Sequence, residues 1–230
     1  MSSPLVSAAA SGRSADRFAL FDLDGTLVDS ATPLRIWAGT LCTEYDLAAD
    51  TVEWCMSHRD TFPAWQQFVG GLAGYLGRPE YAEEWCEHLL ANHPLGFTLD
   101  PAAAERLESL RAEGWKLGIV TNGGTGLQTA KINQVRLPSY MDAICISEAE
   151  GVRKPDRAIF ESAARKLGTE LGPHGWMVGD TLSADIAGGI AAGLRTVWLP
   201  AQGVPRDAEP RPDHVSGSIV DALDLILASS

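Results

Sequence analysis

No run of apolar residues in this 230-residue chain approaches the roughly 20 needed to cross a bilayer, which excludes a helical membrane protein. Basic residues are scarce. Lys and Arg total 18 against 30 Asp and Glu, a formal net charge of -12. A nucleic-acid backbone needs a basic surface, so a broad nucleic-acid interface is excluded; a small anion can still be held by a local cationic patch. Cysteine is also sparse: Cys42, Cys55, Cys86 and Cys145 include no closely spaced pair, which excludes a disulfide scaffold and points to reduced thiols in a cytoplasmic protein. Cys55 with His58 and Cys86 with His88 have metal-like spacing, but on a helix only the first pair shares a face, which argues against zinc. Residues 1–16 lack the unbroken apolar stretch of a secretory signal and read as a disordered leader.

What the chain does contain is a series of apolar runs that stop at polar residues. Phe18-Ala19-Leu20-Phe21 leads into Asp22-Leu23-Asp24-Gly25-Thr26-Leu27. At the C-terminal end of a buried strand, side chains two apart point to one side, so Asp22 and Asp24 would crowd two negative charges unless a cation or shared proton intervenes. A divalent metal answers that need. Alone, the pair also reads as a strand ending in an Asp-Gly turn.

Three further junctions follow. Ile119-Val120-Thr121-Asn122-Gly123-Gly124 ends a second run in a hydroxyl and a glycine pair. There the Thr121 hydroxyl, backbone N–H groups near Asn122 and Gly123, and the start of the next helix suit an anion. In Val152-Arg153-Lys154-Pro155-Asp156, Lys154 is held extended before a proline at a helix start, where it can neutralise an anionic site. Trp176-Met177-Val178-Gly179-Asp180 ends another run in Gly-Asp, and Asp185 follows five residues later, expected in the first turn of the next helix. Singly, each has a plainer reading as a strand-to-helix turn, a solvated lysine or a carboxylate at a helix N-terminus.

In this order and spacing, the four motifs resemble those of the haloacid dehalogenase superfamily of phosphotransferases, over about residues 18–199. The stretch from Asp22 to Ser30 is similar to the phosphatase form of the first motif. The resemblance implies that Asp22 is the nucleophile and Asp24 the general acid and base. It implies that Thr121, with Asn122, Gly123 and Lys154, binds the phosphate, Lys154 also neutralising its charge. Asp22, the Asp24 backbone carbonyl and Asp180 would hold Mg2+, and Asp185 would support the metal site. The implied activity is that of a magnesium-dependent phosphatase acting on a small phosphorylated metabolite through an aspartyl-phosphate on Asp22. Dehalogenases of the family lack a counterpart of Asp24. Phosphonate hydrolases need a cap lysine, and residues 31–95 contain none. A phosphosugar mutase and a non-catalytic metabolite-binding regulator stay open as alternatives.

Strand-like runs near 18–23, 115–120, 142–146, 175–179 and 195–199 alternate with helix-like stretches near 101–113, 125–134, 156–167 and 184–193. That rhythm predicts an α/β fold, a Rossmann-like doubly wound parallel sheet with ligands beyond the carboxyl ends of its strands. Between residues 31 and 95 the strand rhythm stops, and helices are expected at 33–47, 50–59, 65–76 and 79–90. This insertion resembles the helical cap of the phosphoglycolate phosphatase-like branch. The expected organisation is a catalytic core, 17–30 plus 96–230, with a small all-helical cap, 31–95, closing over it. Trp37, Trp54, Trp65 and Trp85 are expected to fill the cap's interior; Arg35, Arg59 and Arg78 are candidates for gripping a second anionic group of the substrate. Residues 200–213 read as a surface loop before a final strand or helix at 219–227. The expected partner is the metabolite alone, for a monomer or homodimer.

Overall fold

The computed structural model describes residues 17–229 apart from 60, 63 and 202–208; the leader expected at 1–16 and part of the loop at 200–213 lie outside the described residues. Six strands, β1 (Phe18–Phe21), β2 (Lys116–Thr121), β3 (Ala143–Ile146), β4 (Gly175–Gly179), β5 (Arg195–Trp198) and β6 (His214–Val215), form one sheet in the order β3-β2-β1-β4-β5-β6. All neighbours are parallel. The order reverses direction at β1, and such a switch opens a crevice beyond the carboxyl ends of the strands beside it.

Between β1 and β2 the chain forms α1 (Ala31–Tyr45), α2 (Asp50–His58), α3 (Trp65–Tyr75) and α4 (Ala82–Asn92), then returns to the sheet with α5 (Pro101–Ala112). The remaining helices are α6 (Thr125–Gln134), α7 (Ser147–Glu150), α8 (Arg157–Leu167), α9 (Ala187–Ala192) and α10 (Ile219–Ala228). Several start where a carboxylate satisfies the free N–H groups of a first turn. Asp100 accepts from Ala102 N–H at 2.8 Å ahead of Pro101, and Asp156 accepts from Ala158 N–H at 2.9 Å. Asp29 does the same for α1, accepting from Ala31 N–H at 2.8 Å.

The alternation of β1 divides the core into two layers. Ala19 and Phe21 join a cluster with Leu107 and Leu110 of α5 and Leu223 and Ile226 of α10. Phe18 and Leu20 pack with Ile159, Phe160 and Ala163 of α8. Burying each of the Phe, Leu and Ile side chains among these is worth about 1.5–3 kcal/mol, so the strand that leads into Asp22 is anchored on both faces. The helices α1 to α4 enclose a third cluster, in which Trp37 and Trp85 are buried and Trp54 and Trp65 half-buried. That cluster is the interior expected for the cap.

Two elements, β6 and α7, were not anticipated, because two and four residues are too few to show a period. Asp185 also departs from expectation. It lies in a π-helical turn, Leu182–Ile186, ahead of α9, where the Thr181 carbonyl accepts the Asp185 N–H at 2.8 Å and the Ile186 N–H at 3.4 Å. Among the described residues no helix is long and apolar enough to cross a membrane.

Candidate active site

Strand pairing carries Asp22 to the rim of the sheet, where its N–H donates to the Val178 carbonyl at 2.9 Å. Lys154 Nζ, almost fully buried, lies 2.6 Å from Asp22 Oδ1 and 2.6 Å from Asp185 Oδ1. The Asp185 side chain is fully enclosed, and its Oδ2 accepts the Thr181 N–H at 2.9 Å. Trp198 Nε1 donates to the Asp180 carbonyl at 2.8 Å and pins the loop after β4. Carboxylate oxygens of Asp22, Asp180 and Asp185 thereby come within 4.8 Å of one another.

Two glycines make this approach possible. A Cβ on Gly25, whose φ is +76°, would stand 2.3 Å from Asp180 Oδ2, and one on Gly179 would stand 2.3 Å from Asp185 Cγ. A side chain at either position would displace a carboxylate.

Three carboxylates facing one ammonium leave surplus negative charge where hydration is poor. Burial, reinforced by Asp185 and opposed by Lys154, pushes Asp22 up to about 7. Burial and the Asp185 charge push Asp180 up to about 6. Burial works against the Lys154 ammonium, but Asp22 and Asp185 outweigh it and hold its pKa above the usual lysine value. Hard oxygen donors with unbalanced charge fit a divalent cation such as magnesium.

Asp24 has other neighbours. Lys131 Nζ on α6 lies 2.8 and 2.9 Å from its two carboxylate oxygens, and Gln128 Nε2 donates to Oδ2 at 2.9 Å. The same amide nitrogen donates to Thr121 Oγ1 at 2.7 Å. Asp24, Gln128 and Lys131 line a cleft of about 600 Å³ between the helical insertion and the sheet rim, with Arg59, Trp65 and His93 on its other wall. His93, in the turn His93–Gly96, packs between Trp65 and Phe97 at 5.1 and 5.0 Å, and neither ring nitrogen has a protein partner. Burial, then the Lys131 charge, push its pKa down to about 4 against the pull of Asp24, so the imidazole is neutral at pH 7.

The structure brings Asp22, Lys154, Asp180 and Asp185 together, and Thr121 and Asp24 are joined through Gln128. It redirects several expectations. The crowding foreseen between Asp22 and Asp24 falls instead on Asp22, Asp180 and Asp185, because β1 ends at Phe21 and a turn closes with Val28 N–H bonded to the Leu23 carbonyl at 3.0 Å. Asp24, expected to be free for protons, is held by Lys131. The Gly123 N–H, expected to face an anion, donates to Ser147 Oγ at 3.0 Å, because α7 starts against that loop. The Asn122 side chain clamps the Lys154 backbone, accepting its N–H at 2.9 Å and donating to its carbonyl at 3.1 Å. Of the three cap arginines, Arg59 lines the cleft, Arg35 is exposed, and Arg78 donates to the Tyr45 carbonyl at 3.0 Å. The residues with zinc-like spacing form no such centre among the described residues; His58 stacks on Trp54 and His88 pairs with Trp37 and Glu44.

Gln128 and Lys131 escaped sequence reasoning. The available signal was their spacing, three apart on the face of α6 that also buries Leu127 and Ile132. A lysine and a glutamine on an apolar helix face need partners.

A sequence profile described as haloacid dehalogenase-like hydrolase matches residues 19–199. The N-acylneuraminate-9-phosphatase of Rattus norvegicus is 31% identical, with 91% of this chain and 93% of the relative covered. The pyrimidine 5'-nucleotidase YjjG of Escherichia coli is 43% identical over a shorter span, 44% of each chain. Among solved structures, the putative hydrolase YfnB from Bacillus subtilis, determined with magnesium bound, superimposes with a TM-score of 0.77 at 22% identity, covering 92% of this chain and 99% of its own.

Proposed function

The chain belongs to the haloacid dehalogenase-like hydrolases, and from that premise we propose that it is a magnesium-dependent phosphatase of a small phosphorylated metabolite. The observation that carries this reading is the meeting of Asp22, Lys154, Asp180 and Asp185 at one rim, beside a cleft into which Asp24 faces. The phosphatase and nucleotidase names of the relatives support the reaction class. Residues 17–30 plus 96–230 act as the catalytic core and 31–95 as its cap. The free state of the four cysteines supports a reducing, cytoplasmic setting.

In the first step an Asp22 oxygen attacks phosphorus, the bond to the leaving oxygen breaks, and that oxygen takes a proton from Asp24. In the second step water attacks the phosphorus of phospho-Asp22 and gives its proton to Asp24, so phosphate leaves and both carboxyl groups return to their starting states. Phosphoryl transfer depends mainly on positioning and charge neutralisation. Lys154 supplies part of that charge from a fixed position. Thr121, with the rim backbone at Asn122, binds phosphate oxygens, while the Gly123 N–H stays on Ser147 Oγ. Magnesium, held by Asp22, the Asp24 backbone carbonyl and Asp180 with Asp185 in support, supplies further neutralisation when bound.

The test is phosphate release from sugar phosphates, nucleotides, phosphoglycolate and amino-acid phosphates, with and without magnesium. The expected result is magnesium-dependent turnover of at least one class, with acid-stable recovery of labelled phosphate on the Asp22 peptide after rapid quench. Ligand binding without release across the whole panel would overturn the reading.

A further inference from the structure

Gln128 and Lys131 stand behind the reacting groups and reach both from one helix face. They are 2% and 3% exposed, so neither has bulk water as an alternative partner. The Gln128 amide donates to Thr121 Oγ1 at 2.7 Å and to Asp24 Oδ2 at 2.9 Å. A hydroxyl carries one proton. With Thr121 oxygen already accepting from Gln128, its proton is directed away from the amide, toward an acceptor in the rim such as a phosphate oxygen.

Lys131 completes the arrangement on the other side. Its ammonium holds both Asp24 oxygens and is itself steadied over the Phe97 ring, 5.0 Å from the centroid. The Asp24 side chain is 30% exposed, so without that grip it would sample several rotamers at the cleft mouth. Gln128 is equally confined, because a Cβ at Gly123 would stand only 2.8 Å from its Cγ. The rim loop lies directly on the amide.

We propose that Gln128 and Lys131 are positioning residues that aim the groups on either side of the breaking bond, Thr121 at the phosphate and Asp24 at the leaving oxygen. This rests on the phosphatase reading above. Misplacement of a reacting group by about 1 Å can cost on the order of 100-fold in rate, so such a pair has a measurable effect.

The experiment compares an alkyl phosphomonoester, whose leaving oxygen needs a proton, with p-nitrophenyl phosphate, whose leaving group does not. Wild type, Asp24→Asn, Lys131→Met, Lys131→Arg and Gln128→Leu are assayed on both. Lys131→Met and Gln128→Leu are expected to lower the alkyl-to-aryl kcat ratio by roughly 10-fold, in the same sense as Asp24→Asn. The ratio is internal to each variant, so a reduced folded fraction cancels. Lys131→Arg, which keeps the donors, should recover most of it. Gln128→Leu should also weaken competitive inhibition by inorganic phosphate more than Lys131→Met does, since only Gln128 touches Thr121. If Asp24→Asn lowers the ratio and neither α6 variant does, the positioning role is wrong. If Asp24→Asn leaves the ratio intact, the acid role of Asp24 fails and this inference falls with it.

Discussion

Asp22 and Asp24 are two residues apart and occupy opposite electrostatic situations. Asp22, 8% exposed, shares one ammonium with Asp185 and also faces Asp180. Asp24 has Lys131 to itself and opens onto the cleft. On the Asp22 side negative charge is in excess, which suits a cation; on the Asp24 side the carboxyl group has a lysine partner of its own. In the proposed phosphatase reaction, that contrast would separate the work of a metal from the work of proton transfer across one strand end.

The sharpest way to break this contrast is Asp22→Asn. Turnover should fall by roughly 10⁴-fold or more, as for other nucleophile deletions. Thermal unfolding should stay level or shift upward, because one of three crowded carboxylates is neutralised. Full activity in phosphate release would refute the nucleophile assignment.

Removing the shared lysine comes next. Lys154→Met strands buried carboxylates and is expected to cost about 3–5 kcal/mol of stability in urea unfolding.

His93 tests the cleft wall on the Asp24 side. Its folded pKa of about 4 lies below the ordinary value near 6.5 of an unfolded histidine, so the unfolded chain takes up a proton the folded one refuses. Its contribution is therefore complete above about pH 6.5, fades as pH falls, and is lost near pH 4, for a total of about 3 kcal/mol. His93→Phe should flatten that part of the stability profile. An unchanged slope between pH 6.5 and 4 would mean that the imidazole is hydrated in solution.

The smallest effect should belong to Lys131→Met. Asp24 is partly open to water and can be solvated again, so about 1 kcal/mol is expected. A loss exceeding that of Lys154→Met would reverse the comparison.

The positions of Thr121 and Asp180 at the rim were readable because each ends or directly follows an apolar run, and that of Lys154 because a proline follows it just ahead of a helix; both signals are local properties of the chain. The doubly wound sheet and helical insertion followed from the same periodicities. Gln128 and Lys131 were not readable in this way. Their three-residue spacing on an apolar helix face calls for partners but names none, and their partner Asp24 lies more than 100 positions away, 107 in the case of Lys131. The choice of Arg59 over Arg35 and Arg78 as the arginine lining the cleft depended on how α2 sits against the rim. Asp185 carried a visible charge, yet its complete burial and its bond to Thr181 depended on the π turn.

The sequence alone determined which polar residues stop each strand, since alternation, proline and glycine act within a few residues. Tertiary structure decided which charges face each other: Lys154 reaches Asp22 across 132 positions. Coulomb energy and desolvation depend on distance and burial in space, and those are set only when helices and strands have packed.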